Sequence, residues 1–228
     1  MYLKKINLNK KTAVVTGAGK GIGKACAIAL AEAGADIIII SRTQKDLDKV
    51  SKIIKKLGSR CVSYVCDVTN YNQIKNIINK EKKIDILVNN AAYIRPMEFT
   101  KLSSNEWDKT LFINLKAAFL LSQSAFKIMS KKKSGRVINI SSGGWQYGGG
   151  SKTVHYSVSK AAIEALTIAT AKLGAKDKIL VNSIRPGATK TNFHKKMGRT
   201  NLIKRAKLVP LKRMAEPYEI SNAVIFLC

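Results

Sequence analysis

A chain of 228 residues with 46% hydrophobic content is long enough to bury one sizeable core, and no continuous apolar run approaches the ~20 residues of a bilayer-crossing helix. Its 41 Lys and Arg against 14 Asp and Glu give a formal charge of +27, shared unevenly: residues 1–114 hold 20 bases and 10 acids, residues 115–228 hold 21 and 4. Four cysteines without a C-x-x-C pair and only His155 and His194 argue against a zinc centre, and the polar start Met1–Lys5 against a secretion signal, so the expected compartment is the reducing cytoplasm.

In chain order, Thr12–Thr16 reads as a short β-branched strand ending at a glycine cluster, and Lys24–Ala33 as a helix stopped at Gly34. Ile37–Ile40 is a continuous apolar run, the pattern of a strand buried on both faces of a parallel sheet. Lys45–Leu57 is a helix ended by Gly58, and further strands are expected at Cys61–Cys66, Ile84–Asn89, Arg136–Ser141 and Ile179–Ile184. Helices at Tyr71–Lys80, Ser104–Lys131 and Ser157–Leu173 fall between them, and a last helix spans Glu216–Leu227. This alternation predicts an α/β fold: one Rossmann-type, doubly wound parallel sheet with helices on both faces, and no composition break marks a second domain.

The glycine cluster Thr16-Gly17-Ala18-Gly19-Lys20-Gly21-Ile22-Gly23 follows a strand and opens a helix, which is the setting a dinucleotide-binding loop needs. Gly17 permits the tight turn, Gly21 a close approach of backbone to a pyrophosphate, and Gly23 tight packing of the helix, whose N-terminus favours phosphate. A P-loop is excluded: Ala18 stands at its first glycine, and Ala25 follows Lys24 where Ser or Thr would bind magnesium. At the end of the second strand, where an acid would accept the ribose hydroxyls of NAD, the chain has Ser41-Arg42. A guanidinium suits a 2′-phosphate, and Lys20 adds a second cation nearby, so NADP(H) is expected in preference to NAD(H).

Tyr156-Ser157-Val158-Ser159-Lys160 places a phenol and an ammonium four residues apart, on one face of a helix. A free tyrosine titrates near ~10, and bringing it to neutrality needs about 4 kcal/mol of phenolate stabilisation, which a neighbouring lysine and a cationic nicotinamide would share. Tyr147 is a rival proton donor, yet four residues beyond it stands Ser151. Tyr147 and Trp145, in the loop Gly143–Gly150, are expected to line a substrate pocket or pack on it.

Together and in this order, these motifs resemble the short-chain dehydrogenase/reductase family over nearly the whole chain. The resemblance assigns Asp67-Val68 to the adenine ring and likens Asn89-Asn90-Ala91-Ala92 to the family's N-N-A-G segment, with Asn89 and Ala91 at the cofactor. Ala92 replaces the usual glycine. It makes Asn114 a proton-relay residue that positions a water, Ser142 the hydroxyl that bonds the substrate carbonyl, Tyr156 the acid/base, and Lys160 the holder of the nicotinamide ribose. Pro186-Gly187-Ala188-Thr189-Lys190-Thr191 is similar to the segment that closes over the nicotinamide, with Pro186, Gly187, Thr189 and Thr191 as contacts and the Thr189 N–H free for the carboxamide. Ser142 stands one residue further from Tyr156 than the usual spacing, so Ser141 remains an alternative hydroxyl.

The implied activity is NADPH-dependent reduction of a ketone, or its reversal. Arg185–Arg213, with ten bases and no acid, overlaps the variable segment that covers substrate in similar proteins. Such a field favours an anionic or carrier-linked substrate, and Pro210-Leu211-Lys212-Arg213 resembles the 3-oxoacyl-carrier reductases. The alternatives are a sugar, polyol or other secondary alcohol as substrate, or a catalytically silent scaffold. A plain solvated lysine surface also accounts for the charge, and no nucleic-acid motif accompanies it. The resemblance further implies a homo-oligomer, although the family's last strand and intersubunit segment have no counterpart after Leu227.

Overall fold

The structure, a computed structural model, describes residues 6–198 and 201–228. Met1–Lys5, Arg199 and Thr200 lie outside the described residues, as does the side chain of Lys195. Six parallel strands form one sheet in the order β3-β2-β1-β4-β5-β6: β1 Thr12–Thr16, β2 Asp36–Ser41, β3 Cys61–Val65, β4 Ile86–Asn89, β5 Gly135–Ile140 and β6 Ile179–Ile184. The order reverses beside β1, whose neighbours are β2 and β4, and the C-terminal ends of the strands open a crevice there.

The register shows why the strands read as unbroken apolar runs. Ala13, Val15, Ile37 and Ile39 point into one core, while Val14, Ile38 and Ile40 point into the other. Helices α1 (Gly21–Glu32), α2 (Gln44–Lys56) and α9 (Pro217–Phe226) cover the first face. Helices α3 (Tyr71–Lys80), α4 (Ser104–Leu111), α5 (Ala117–Lys131) and α6 (Val154–Gly174) cover the second.

Helices α4 and α5 run on through a π-helical turn at Phe112–Lys116, so Ser104–Lys131 is one 28-residue helix long and apolar enough, by length and composition alone, to cross a membrane. Ile113, Ala117, Leu121, Ala125 and Met129 on it are buried against Leu87 and Val137 of the sheet, which gives its apolar side a partner in the core. Between β6 and α9 the chain forms two short helices the pattern did not announce, α7 (Phe193–Lys196) and α8 (Leu202–Lys207). The loop after β5 contains a 3₁₀ turn, Gly143–Tyr147.

Candidate active site

A cleft of about 950 Å³ lies across the C-terminal ends of the strands, bounded by the glycine loop, the ends of β2 and β4, the 3₁₀ turn, the start of α6 and the segment after β6. Gly17 turns the chain out of β1 at φ +63°, a left-handed conformation that strains other residues. At Gly23 a Cβ would lie 2.3 Å from Asn90 Nδ2 and 2.4 Å from the Gly17 carbonyl oxygen, so this glycine shapes the loop from behind without lining the cleft. Gly17, Gly19, Lys20, Gly21 and Ile22 all line it.

At the far end of the loop Ser41, Arg42, Asp67 and Val68 line the cleft together. Arg42 Nη1 lies 3.7 Å from Asp67 Oδ2. Burial alone would raise the Asp67 carboxyl, but the Thr69 N–H and hydroxyl, together with the Arg42 charge, hold it below its ordinary value. Lys20 is not left facing a phosphate: its Nζ lies 3.0 Å from Asp46 Oδ2, and Asp46 itself lines the cleft. No sequence pattern marked Asp46, which sits in the first turn of α2 and reaches the glycine loop only because α2 lies beside α1.

Besides Gly23, two expected site residues are placed elsewhere. Asn89 does not line the cleft; its amide donates to Asn139 Oδ1 at 2.8 Å and Ser122 Oγ at 3.1 Å inside the α5 face. Alternation along the strand explains the correction, because adjacent residues point to opposite sides. The neighbour Asn90 holds the loop instead, donating from Nδ2 to the carbonyls of Thr16 (2.9 Å) and Gly17 (3.2 Å). A turn carbonyl in need of a donor was the signal that would have found it. Asn114, 2% exposed in the π-helical turn, also stays out of the cleft. Its Oδ1 accepts from the Tyr93 N–H at 2.7 Å, and its Nδ2 donates to the Tyr93 carbonyl at 3.0 Å and to Ser159 Oγ at 2.9 Å. The side chain thus braces the chain after β4 against the helix carrying Lys160, and a water would have to meet its backbone.

Tyr156 and Lys160 lie in the first two turns of α6 and both line the cleft. Lys160 Nζ stands 5.8 Å from the Tyr156 ring centroid and donates to the Ile140 carbonyl at 2.7 Å. The lysine is 2% exposed, and burial pulls its ammonium down to about 8 while the charge of Glu164 opposes the fall. Ser142 caps the 3₁₀ turn, accepting the Gly144 N–H at 3.2 Å, with its side chain in the cleft wall. Ser141 is 3% exposed and its hydroxyl is spent on the Lys160 carbonyl at 3.1 Å, so the more open of the two serines is Ser142. Tyr147, 86% exposed, stands at the rim, whereas Trp145 packs under the Arg185 guanidinium, 5.4 Å from its ring centroid.

Opposite α6, Pro186, Gly187, Thr189 and Thr191 form the other wall. A bridge between Thr189 and Ala215 fixes this segment through the Lys190 and Ala215 N–H groups, and neither bond takes the Thr189 amide. Residues unmarked by any motif complete the wall: Phe193, whose ring lies 5.7 Å from that of Tyr156, with Met197 from the turn after α7 and Arg205 from α8.

Residues 11–202 match the family model described as short chain dehydrogenase. The chain belongs to this family. It is an NAD(P)-dependent oxidoreductase acting on a carbonyl or alcohol. Relatives of this short-chain dehydrogenase include the 3-oxoacyl-[acyl-carrier-protein] reductase FabG of Buchnera aphidicola subsp. Schizaphis graminum, 35% identical over 97% of the chain and 91% of the relative. The enzyme of the same name from Thermotoga maritima is 32% identical over 97% and 92%. Among solved structures, 7α-hydroxysteroid dehydrogenase complexed with NADH and 7-oxo glycochenodeoxycholic acid superposes with a TM-score of 0.92 at 30% identity, over 98% of this chain and 89% of that one. A Beutenbergia cavernae protein assigned as an NAD(P)-dependent gluconate 5-dehydrogenase, with NADP bound at low occupancy, gives 0.89 at 31%, over 99% and 92%.

Proposed function

We propose that this short-chain dehydrogenase uses NADPH to reduce a ketone, with Tyr156 as proton donor, and that the ketone is a 3-oxoacyl group on an anionic carrier. The observation that carries the reading is the Tyr156–Lys160 pair standing in one cleft with Ser142 and facing the Pro186–Thr191 wall. The residues present fit the cofactor: a glycine loop that turns at Gly17 and is packed from behind at Gly23, Asp67 and Val68 at the adenine end, and Arg42 beside them for a 2′-phosphate. Bound there, NADPH supplies the hydride.

The chain's own groups do the rest. Ser142 Oγ donates to the carbonyl oxygen and stabilises charge developing on it, and Tyr156 delivers the proton. Lys160 holds the ribose and favours the phenolate left behind. The Thr189 amide, free of the bridge, orients the carboxamide.

The relatives named as 3-oxoacyl-carrier reductases support the substrate class, and so does the wall of the cleft. Arg205 and Lys196 are cations there, and Arg205 Nε is buried with no hydrogen-bond partner among the described residues. A second reading, a sugar or other secondary-alcohol dehydrogenase, draws on the gluconate and steroid enzymes of the same fold. NADPH oxidation measured with an acetoacetyl thioester, a keto-sugar acid and a cyclic ketone separates the two. Tyr156→Phe is expected to lower turnover by about 10³-fold or more while NADPH still binds. Turnover near the parent's would remove Tyr156 from the mechanism.

A further inference from the structure

Tyr156, Lys160 and Glu164 follow one another at intervals of four along α6 and therefore share one stripe of the helix. The mechanism above uses the first two only. The Glu164 side chain is 9% exposed, and its Oε2 accepts from Ser183 Oγ on β6 at 2.7 Å and from Arg185 Nη2 at 3.1 Å. Its Oε1 is buried without a hydrogen-bond partner. A carboxylate held in the interior with one oxygen unused is costly, and an apolar side chain would pack there at less expense, so packing alone does not explain it. Arg185 reaches further: its guanidinium lies over Trp145 in the turn that Ser142 caps, and the next residue, Pro186, accepts the Gly143 N–H at 3.0 Å.

We propose that Glu164 is a positioning residue, the fixed counter-charge of the Lys160 ammonium, and that Arg185 clamps it while tying α6 to the serine-bearing turn through Trp145. The inference rests on the acid/base reading of Tyr156 and Lys160. Burial pushes Lys160 down to about 8, and the Glu164 charge opposes that fall. Glu164 itself is held below the usual carboxylate range: burial would raise it, but the bonds from Arg185 and Ser183 and the Arg185 charge prevail. Among the described residues, the titratable or charged groups tied to the lysine are Tyr156 and Glu164 on α6, with Arg185 after β6 reaching it through Glu164. Two neutral hydroxyls complete the surroundings, Ser141 just after β5 donating to the Lys160 carbonyl and Ser183 on β6 donating to Glu164, and His194 on the opposite wall is bonded through Nε2 to the Thr189 carbonyl.

The signs follow. Reduction needs Tyr156 protonated and Lys160 charged, so activity is lost as pH rises through the first deprotonation of that coupled pair. Removing the negative charge in Glu164→Gln moves this loss to lower pH by about one unit, and removing the positive charge in Arg185→Gln moves it upward. A merely structural pair would weaken both variants and move neither titration.

The first readout of the test needs no substrate. In protein labelled with ¹³C at lysine Cε, the resonance absent from Lys160→Arg is followed against pH in the parent, Glu164→Gln, Arg185→Gln and Glu164→Asp, with the pH profile of acetoacetyl-thioester reduction beside it. Expected are a fall in Glu164→Gln, a rise in Arg185→Gln and a value near the parent's in Glu164→Asp. The rise in Arg185→Gln, set against a value near the parent's in Glu164→Asp, decides the matter even if Glu164→Gln does not fold. Tyr156→Phe turning over at the parent's rate would overturn the underlying reading. An inactive Tyr156→Phe, with Lys160 titrating at one pH in every variant, would overturn this inference alone.

Discussion

At the scale of single residues, the charges at the Arg42 end of the cleft nearly cancel. Lys20 is paired with Asp46 at 3.0 Å and Arg42 stands 3.7 Å from Asp67, so two cations meet two carboxylates where a 2′-phosphate is expected. Both cations are well exposed, at 64% and 61% of their side chains, and such pairs hold their geometry weakly in water. A phosphate with two charges competes for them, and the planar guanidinium binds it in two places. Arg42→Asp is therefore expected to lower the NADP:NAD ratio of kcat/KM by about 10- to 100-fold, the equivalent of one charge-assisted contact plus a new repulsion. Steady-state kinetics with both cofactors check this. An unchanged ratio would leave Lys20 as the discriminating residue, and Lys20→Ala would then show the loss.

At the scale of elements, a buried polar ladder holds the sheet to its helices just below the cleft. Asn89 on β4 donates to Asn139 on β5 and to Ser122 on α5, Asn139 donates to Thr167 on α6 at 2.9 Å, and Thr167 closes onto the Ile163 carbonyl at 2.7 Å. Asn139 is 1% exposed, so Asn139→Ala takes one bond from each of two buried partners and opens a cavity between them, and is expected to cost about 2–4 kcal/mol, read as a lower urea midpoint with an unchanged slope. Retained stability would mean that water fills the gap. The ladder also shows what the sequence reveals and what it hides. Strand β2, read as Ile37–Ile40, and α3, read as Tyr71–Lys80, stand within a residue of their places because a doubly buried strand and a capped amphipathic helix each carry a local periodicity. The Tyr-Lys spacing and the glycine loop were legible for the same reason, since their geometry is set within one turn. Whether Asn89 or Asn90 faces the cleft is decided by a single step of strand alternation, and a family motif cannot resolve that step. Asp46, Phe193 and Arg205 reach the cleft only through tertiary packing, and α7 and α8 have too few turns to show a period.

At the scale of the whole molecule, the charge of +27 overstates the field at the cleft. Lys190 is paired with Glu216, Arg213 is bound twice by Glu219 at 2.7 Å, and Arg185 is committed to Glu164. At the N-terminal edge of the sheet, Asp85 gathers Lys132 at 2.6 Å and Lys11 and Lys83 at 3.9 Å, far from the reacting groups. Of the dense basic stretch, Lys196 and Arg205 alone among the described residues line the cleft as cations without an acid in contact. The attraction for an anionic substrate is then local and of short range. An anionic carrier would still feel the summed field during approach, whereas a small neutral ketone would feel neither. Raising the salt from roughly 20 to 300 mM shrinks the screening length from about 20 Å to about 6 Å. For an acyl-carrier thioester, kcat/KM is expected to fall about tenfold over that range, while kcat/KM for a neutral ketone stays within about twofold. In Lys196→Ala/Arg205→Ala the carrier substrate should keep most of its salt dependence yet show a raised KM at every salt concentration, because the distant charges that steer remain and the near ones that bind are gone. Equal salt dependence for both substrates would remove the electrostatic basis for a carrier and leave the secondary-alcohol reading as the stronger one.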